Sequence, residues 1–405
     1  MAEINKIDFG PLNKYQWLII ISSSFSMFIY GLVLALPSIS TTWNFVPSND
    51  YVYIFLSIPV GTLIGNIIIG RFADLKGRKN MFILTLLLYG VGSLIVLLSN
   101  SFSFLIIGLF VSQIGLGGEM PTLLTYLSEM MPIKYREIVL IFTTNIANIG
   151  VLMGGILSLR LGLLSISQER FYYLISLIAS IILMLIFRLM IPESLRWKII
   201  ETQGKKQIKV EKLWFKIYFL TSLIIATALT YALLALTIGP YIFPNLTSIL
   251  LIVYNLGESI GGFISLYLVK KIGTRIFTLF SYLGGFITMI FAILDFMLFK
   301  SILYIFITLL FINGLFGEFA WAARVSLEPV IFPTGFRSTG IALSRLLPYF
   351  LYAASIFYAA SFNAMQYLIY NLILWGIGGL ASILWYIYGM ETTNKKLEEI
   401  NNELS

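Results

Sequence analysis

Three carboxylates stand where carboxylates are costly. Glu119, Glu258 and Glu318 each lie inside a long apolar run, and the chain contains neither histidine nor cysteine. A charge at mid-bilayer costs about 2.5–3.5 kcal/mol on insertion scales, so an acid kept there is by default a functional group. Burial raises the pKa of a carboxyl, which suits a group that must take up and return a proton near neutral pH. With no imidazole or thiol available, proton chemistry has to run on these acids. Disulfides, thiolate nucleophiles and the usual zinc ligand sets are excluded, and neither a metal nor a cofactor is implied. Polar side chains in the same runs could face a cavity for a small hydrogen-bonding solute: Gln113, Asn145, Asn148, Asn255, Asn313, Trp321, Arg345 and Tyr349. Asn145 and Asn148 are three apart and share a helix face. Trp321 could stack on a sugar ring, whereas Arg345, if it faces the cavity, would favour an organic anion. A structural alternative for Glu119 and Glu318 is a packing contact with Arg345, Arg324 or backbone amides. Arg324 lies four residues before Glu328, the spacing of a helical ion pair. Arg160 and Arg188 sit near span ends, where they are expected to snorkel.

Two of these acids belong to a repeat. Gly115-Leu116-Gly117-Gly118-Glu119 returns 199 residues later as Gly314-Leu315-Phe316-Gly317-Glu318. Further pairs keep nearly the same offset: Gly77 with Gly273, Glu129 with Glu328, Arg136 with Arg337, and Glu193 with Glu391. A repeat of this length means two copies of one structural unit. The repeated charges lie at helix ends, where they could bridge helices in only one arrangement of the two halves. Together with Asp74, Arg78 and Arg196 they are expected to form a gate on one face. An exposed pair contributes only about 0–1 kcal/mol, so such a gate requires a network.

The elements that must hold these residues are membrane helices. The 405 residues are 59% hydrophobic and 11% charged, where a soluble domain is about a quarter charged. Windows of about 20 apolar residues give twelve spans, near 17–39, 51–70, 81–99, 102–131, 138–163, 170–191, 215–238, 246–269, 276–299, 302–327, 338–360 and 365–389. The links alternate in charge, and about 21 of the 27 basic residues fall on one side. The positive-inside rule makes that side cytoplasmic, which puts both termini inside. Met1 to Asn13 is polar and does not read as a signal peptide. The net charge of +8 is accounted for by topology rather than by a nucleic-acid partner. The fold class expected is an all-α membrane protein of two pseudo-symmetric six-helix bundles, residues 1–191 and 215–405, joined by a basic cytoplasmic linker over 192–214.

The loop between spans two and three reads Gly70-Arg71-Phe72-Ala73-Asp74-Leu75-Lys76-Gly77-Arg78-Lys79. It resembles the signature loop of the major facilitator superfamily. Asp74, the only acid among four bases, needs a specific partner, and a helix N-terminus is one option. Pro192-Glu193-Ser194-Leu195-Arg196-Trp197 and Glu391-Thr392-Thr393 resemble segments after spans six and twelve in the sugar-porter and metabolite:proton symporter branches. Gly115 to Pro121 with Glu129, Pro132 and Arg136 resembles their fourth span and the loop after it, and Pro333, Arg337 and Gly340 resemble the loop after span ten. The chain departs from those branches in having Met390 for a proline, Lys270 where Asp74 would align, and no acid in span one. It also lacks a glutamine-rich seventh span and has two extra residues between Glu328 and Pro333.

The resemblance implies a secondary transporter in the cytoplasmic membrane. It would move a small polar solute, sugar or organic anion, by alternating access with proton symport, and would act as a monomer. An exporter, an antiporter, an uncoupled facilitator and a non-transporting sensor remain as alternatives. No nucleophile and base converge in the sequence, so an enzyme is not expected.

Overall fold

The structure is a computed structural model, and it describes residues 7–159, 165–202, 210, 212–298, 303–397 and 399–400. Arg160, Glu398 and much of the linker therefore lie outside the described residues. Six helices come first: α1 (Lys14–Ser40), α2 (Tyr51–Lys76), α3 (Arg78–Leu98), α4 (Phe102–Met130), α5 (Ile133–Ser158) and α6 (Ile166–Met190). They run 21 to 29 residues, about 32–44 Å at 1.5 Å per residue, enough to cross a hydrocarbon core of about 30 Å with some tilt. Short α7 (Leu195–Thr202) follows. The second half holds α8 (Leu213–Ile242), α9 (Thr247–Leu298), α10 (Leu303–Leu327), α11 (Arg337–Ser344), α12 (Leu346–Ala359) and α13 (Ala364–Tyr388).

Among the described residues eleven stretches are long and apolar enough to span a membrane, one fewer than the sequence windows. The difference lies in α9. Its 52 residues would reach about 78 Å as one rod, more than twice a bilayer core. The helix is broken at Gly273, whose φ of 77° and ψ of 158° are not helical. Its two limbs supply the eighth and ninth crossings. Gly77 does the same between α2 and α3, with φ 94° and ψ 158°. This region of backbone space is essentially reserved for glycine.

The two turns share a second device. Glu193 accepts from the backbone N–H groups of Arg78 and Lys79 at 2.9 and 3.0 Å. Glu391 accepts from those of Thr274 and Arg275 at 3.0 and 3.2 Å. Each carboxylate thus satisfies donors that a helix start leaves unpaired and meets the positive end of the helix dipole. A Cβ at either glycine would collide with that carboxylate. The repeated glutamates 193 and 391 therefore bind inside their own halves.

The repeated glycines of the fourth and tenth spans are helix contacts. A Cβ on Gly115 would strike the backbone of Tyr89 in α3, and one on its copy Gly314 the backbone of Tyr254 in α9. Small residues allow membrane helices to approach this closely, and the contact replaces the hydrophobic drive that lipid cannot supply. The halves meet along two seams, α5 against α9, and α2 against α11 and α12. Large apolar side chains face outward, and Trp214, Tyr218, Tyr304 and Tyr388 are exposed near helix ends, as at membrane–water interfaces.

Regularity is unequal between the halves. The helices α1 to α6 run without a break, although α1, α2 and α4 each contain a proline. In the second half α8 passes through two π-helical segments, Ile225–Leu229 and Ala232–Thr237. The eleventh crossing is interrupted at Arg345, which separates α11 from α12.

Candidate functional site

A cavity of about 70 Å³ lies between the halves. Tyr30 of α1, Thr62 of α2, Met120 of α4 and Thr144 and Asn148 of α5 form one wall. Tyr231 and Leu236 of α8, Glu258 of α9, Glu318 and Trp321 of α10, and Tyr349 and Tyr352 of α12 form the other. Ala228, Tyr231, Ala232 and Leu236 lie in or beside the π-helical stretches of α8, an irregularity often found at functional sites.

Glu258 and Glu318 are 4% and 2% exposed, and neither has an ion-pair partner among the described residues. Glu318 Oε2 accepts from Asn148 Nδ2 at 2.7 Å across the seam. Asn148 also donates to Asn145 Oδ1 at 3.2 Å, and Asn145 donates to the Ser259 carbonyl at 3.0 Å. The second oxygens, Glu258 Oε2 and Glu318 Oε1, are buried without a partner. Asn255 stands one layer back, accepting from Tyr231 Oη at 3.2 Å.

Other residues singled out in the sequence lie elsewhere. Glu119 does not reach the cavity. It pairs with Arg188 and accepts from Ser26 at 2.6 Å and from Thr85. Arg188 corrects an expectation: it is buried, not snorkelling, and lies over the rings of Phe82 and Tyr89. The five residues Ser26, Thr85, Tyr89, Glu119 and Arg188 tie together α1, α3, α4 and α6. Arg345 is absent from the cavity lining and binds Glu328 at 2.7 Å. Glu328 also takes Arg324 at 3.1 Å, the i,i+4 pair, and Arg324 stacks on Trp321 at 3.9 Å. Asn313 bonds Gly285 and Thr288 in the helix packing. Gln113 is buried with neither amide atom bonded. The cavity tyrosines 30, 231 and 352 had no sequence signal beyond lying mid-span, since a tyrosine in an apolar run is cheap.

On the face where the basic links lie, a charge network joins the halves. Glu129 accepts from Arg78 at 3.1 and 3.0 Å, from Ser194 at 2.5 Å and from Arg337 of the second half at 2.9 Å. Asp74 sits at the N-terminus of α11. It accepts from the Thr339 N–H and hydroxyl at 2.8 and 2.7 Å and pairs with Arg78 at 3.2 Å. Arg78 also donates to the Thr334 carbonyl at 3.0 Å. Arg196 donates to the Glu129 carbonyl and to Asp8, and Arg136 donates to Asp8 and to the Lys395 carbonyl. The opposite side of the cavity is closed more lightly, by a Ser158–Ser248 hydroxyl contact at 3.0 Å and the Phe55 and Tyr241 rings.

Glu391 lies outside the spans. Burial pushes its carboxyl up, but hydrogen bonds from Thr274, Thr393 and Arg275 outweigh this and hold it below its ordinary value of 4.5. A depressed folded-state pKa gives stability that is complete above the ordinary value and is lost as pH falls through the lowered one. The thermal midpoint of the detergent-solubilised protein should therefore drop on acidification below about pH 4.5, and Glu391→Gln should flatten that drop. An unchanged acid limb in the variant would refute this.

The family model for "Sugar (and other) transporter" matches residues 15–213 and 201–404. The chain belongs to that family. Its relatives include the 4-hydroxybenzoate transporter PcaK of Acinetobacter baylyi, 29% identical over 208 residues, which are 50% of this chain and 45% of that protein. The glucose transporter GlcP of Staphylococcus epidermidis is 30% identical over 162 residues, 40% of this chain and 34% of that one. The chain thus spans less than half the length of these curated relatives in the matched stretch. The proton:xylose symporter XylE, solved with 6-bromo-6-deoxy-D-glucose, superposes with a TM-score of 0.78 over 96% of this chain and 99% of that one, at 16% identity. The fold is that of the major facilitator superfamily, and the family is one of multi-pass membrane transporters rather than enzymes.

Proposed function

We propose that this chain is a secondary transporter that carries a small neutral solute with a proton, by alternating access across the cytoplasmic membrane. The basic face and both termini are inside, residues 1–191 and 215–405 are the two units that move, and one copy suffices. The observation that carries this reading is the pair Glu258 and Glu318, buried on the wall of a cavity between the halves without an ion-pair partner among the described residues. Apart from the self-balanced Glu119–Arg188 pair, the buried charges described around the cavity are three carboxylates, Glu258, Glu318 and Glu328, against two guanidiniums, Arg324 and Arg345. Fully ionised, they leave one negative charge. One proton on the pair balances them, and the cost of carrying net charge through the bilayer then favours a loaded state of one proton and one neutral solute.

An organic anion would need a second proton, and Arg345, which could have favoured it, is engaged by Glu328. A sugar suits the tyrosine hydroxyls, Asn148 and the Trp321 ring. The uneven closure supports alternation, since a network of buried charges holds one side and a hydroxyl pair and two rings hold the other.

Proteoliposomes loaded with a pH-sensitive dye should acidify when a sugar that is a substrate is added outside. Glu258→Gln and Glu318→Gln should each abolish the acidification while leaving solute exchange without a gradient intact. Proton influx that persists undiminished in both variants would remove the pair as carrier.

A further inference from the structure

The segment that precedes α1 has no role in the transport reading, yet it places a buried acid on the basic face. Asp8 is 2% exposed. Its Oδ2 and Oδ1 accept from Arg196 Nη2 at 2.8 and 3.0 Å, and Oδ1 also accepts from Arg136 Nη2 at 3.4 Å. Both arginines are buried. Asp8 therefore stands between guanidiniums of α5 and α7 and sets where each points. The segment is pinned at its other end as well. Asn13 and Gln16 form a capping box at the start of α1, and Gln16 Nε2 donates to the Met130 carbonyl at the end of α4 at 3.0 Å.

From here the contacts cross to the second half. Arg136 Nη1 donates to the Lys395 carbonyl at 3.2 Å, and Lys396 Nζ lies 4.9 Å over the Phe9 ring. Both lysines belong to the tail after α13. That tail is rooted in its own half, where Glu391 takes the amides of Thr274 and Arg275 and the hydroxyls of Thr392 and Thr274 meet at 2.9 Å. When the halves part on this face, the root follows α9 and the tip contacts must break. A carboxylate on two amides holds harder than one carbonyl and one exposed ring. We propose that residues 7–13 are a strap that clips the tail of the second half to the first and so holds the basic face shut. Asp8 acts as a positioning residue for Arg136, and Phe9 makes the direct contact. The strap depends on the transport reading, since only a chain that alternates its access has such a closed state to hold.

The test uses the full chain in proteoliposomes with one thiol, Thr144→Cys on the cavity wall, because the chain has no cysteine of its own. A hydrophilic maleimide reports access from the side on which it is applied. Asp8→Asn should speed labelling from the basic face at least about fivefold, as expected where one partner of a buried ion pair is lost. Phe9→Ala should speed it about two- to fivefold, the worth of an exposed cation–π contact. Neither should speed labelling from the opposite face, whereas a loosened fold would speed both. Lys396→Ala should match Phe9→Ala, and the two together should exceed neither, because they remove one shared contact.

Thermal midpoints check that the variants fold, and Phe9→Ala, which trims an exposed ring, carries the test where Asp8→Asn does not. Unchanged labelling from the basic face in Asp8→Asn and Phe9→Ala, or faster labelling from both faces, overturns the strap. Glu129→Gln in the same reporter separates this from failure of the transport reading. If it alone speeds labelling from the basic face, the halves alternate and the strap does not hold them.

Discussion

Glu119→Gln is expected to destabilise the protein by about 3–5 kcal/mol, the cost of leaving one member of a buried ion pair uncompensated. Glu119 and Arg188 are 0% and 1% exposed at the side chain. The guanidinium has three hydroxyl acceptors besides the carboxylate, on Thr85, Ser26 and Tyr89, and none carries a countercharge. The same reasoning predicts rescue. Replacing a buried pair by apolar residues of similar volume is often neutral, so Glu119→Leu with Arg188→Met should recover most of the loss. Unfolding midpoints of the single and double variants in detergent measure both. A single variant as stable as the parent, or a double variant no better than the single, would contradict the assignment of this pair as a structural tie.

The second large effect is on conformation. Glu129→Gln removes the carboxylate that Arg78 and Arg337 share, and with it the one buried ion pair described between the halves. Truncating one partner of such a pair typically costs about 2–5 kcal/mol. Taken from the state closed on the basic face, this is a shift of more than tenfold in the balance between closed and open forms. The chain contains no cysteine, so a single Thr144→Cys change places one thiol in the cavity lining. A hydrophilic maleimide applied from the basic face should label it at least about tenfold faster in the Glu129→Gln background. Equal labelling rates would mean that the network does not hold that side shut.

Much of this molecule could be read from its sequence because its charges are so few. Apolar density gives the spans, and the Gly-Glu repeat gives the duplication, since only glycine and a costly acid stand out in such runs. What the repeat does not reveal is pairing. Glu119 and Arg188 are 69 residues apart, and whether they face each other depends on the rotation of two helices whose apolar sides look alike. Symmetry misleads as well. Glu129 bridges the halves, whereas its copy Glu328 binds Arg324 and Arg345 within its own. The two additional residues before Pro333 shift Glu328 relative to the following arginine, so equal residue types occupy unequal places. The cavity tyrosines 30, 231 and 352 were silent because an amphipathic ring costs little in a span and so leaves no anomaly to notice.

The caps at Gly77 and Gly273 set an order on biosynthesis. Arg78 and its acid, Glu193, are 115 residues apart. At roughly 5–20 residues per second, the start of α3 waits on the order of ten seconds after its own synthesis before its carboxylate exists. The second turn waits a similar interval, because Thr274 and Glu391 are 117 residues apart. In each half the residue that completes the third helix is made only after the sixth crossing. A ribosome that stops before Glu391 therefore leaves a helix start at the membrane surface with its amides bare, a mark by which quality control could tell an unfinished chain from a finished one.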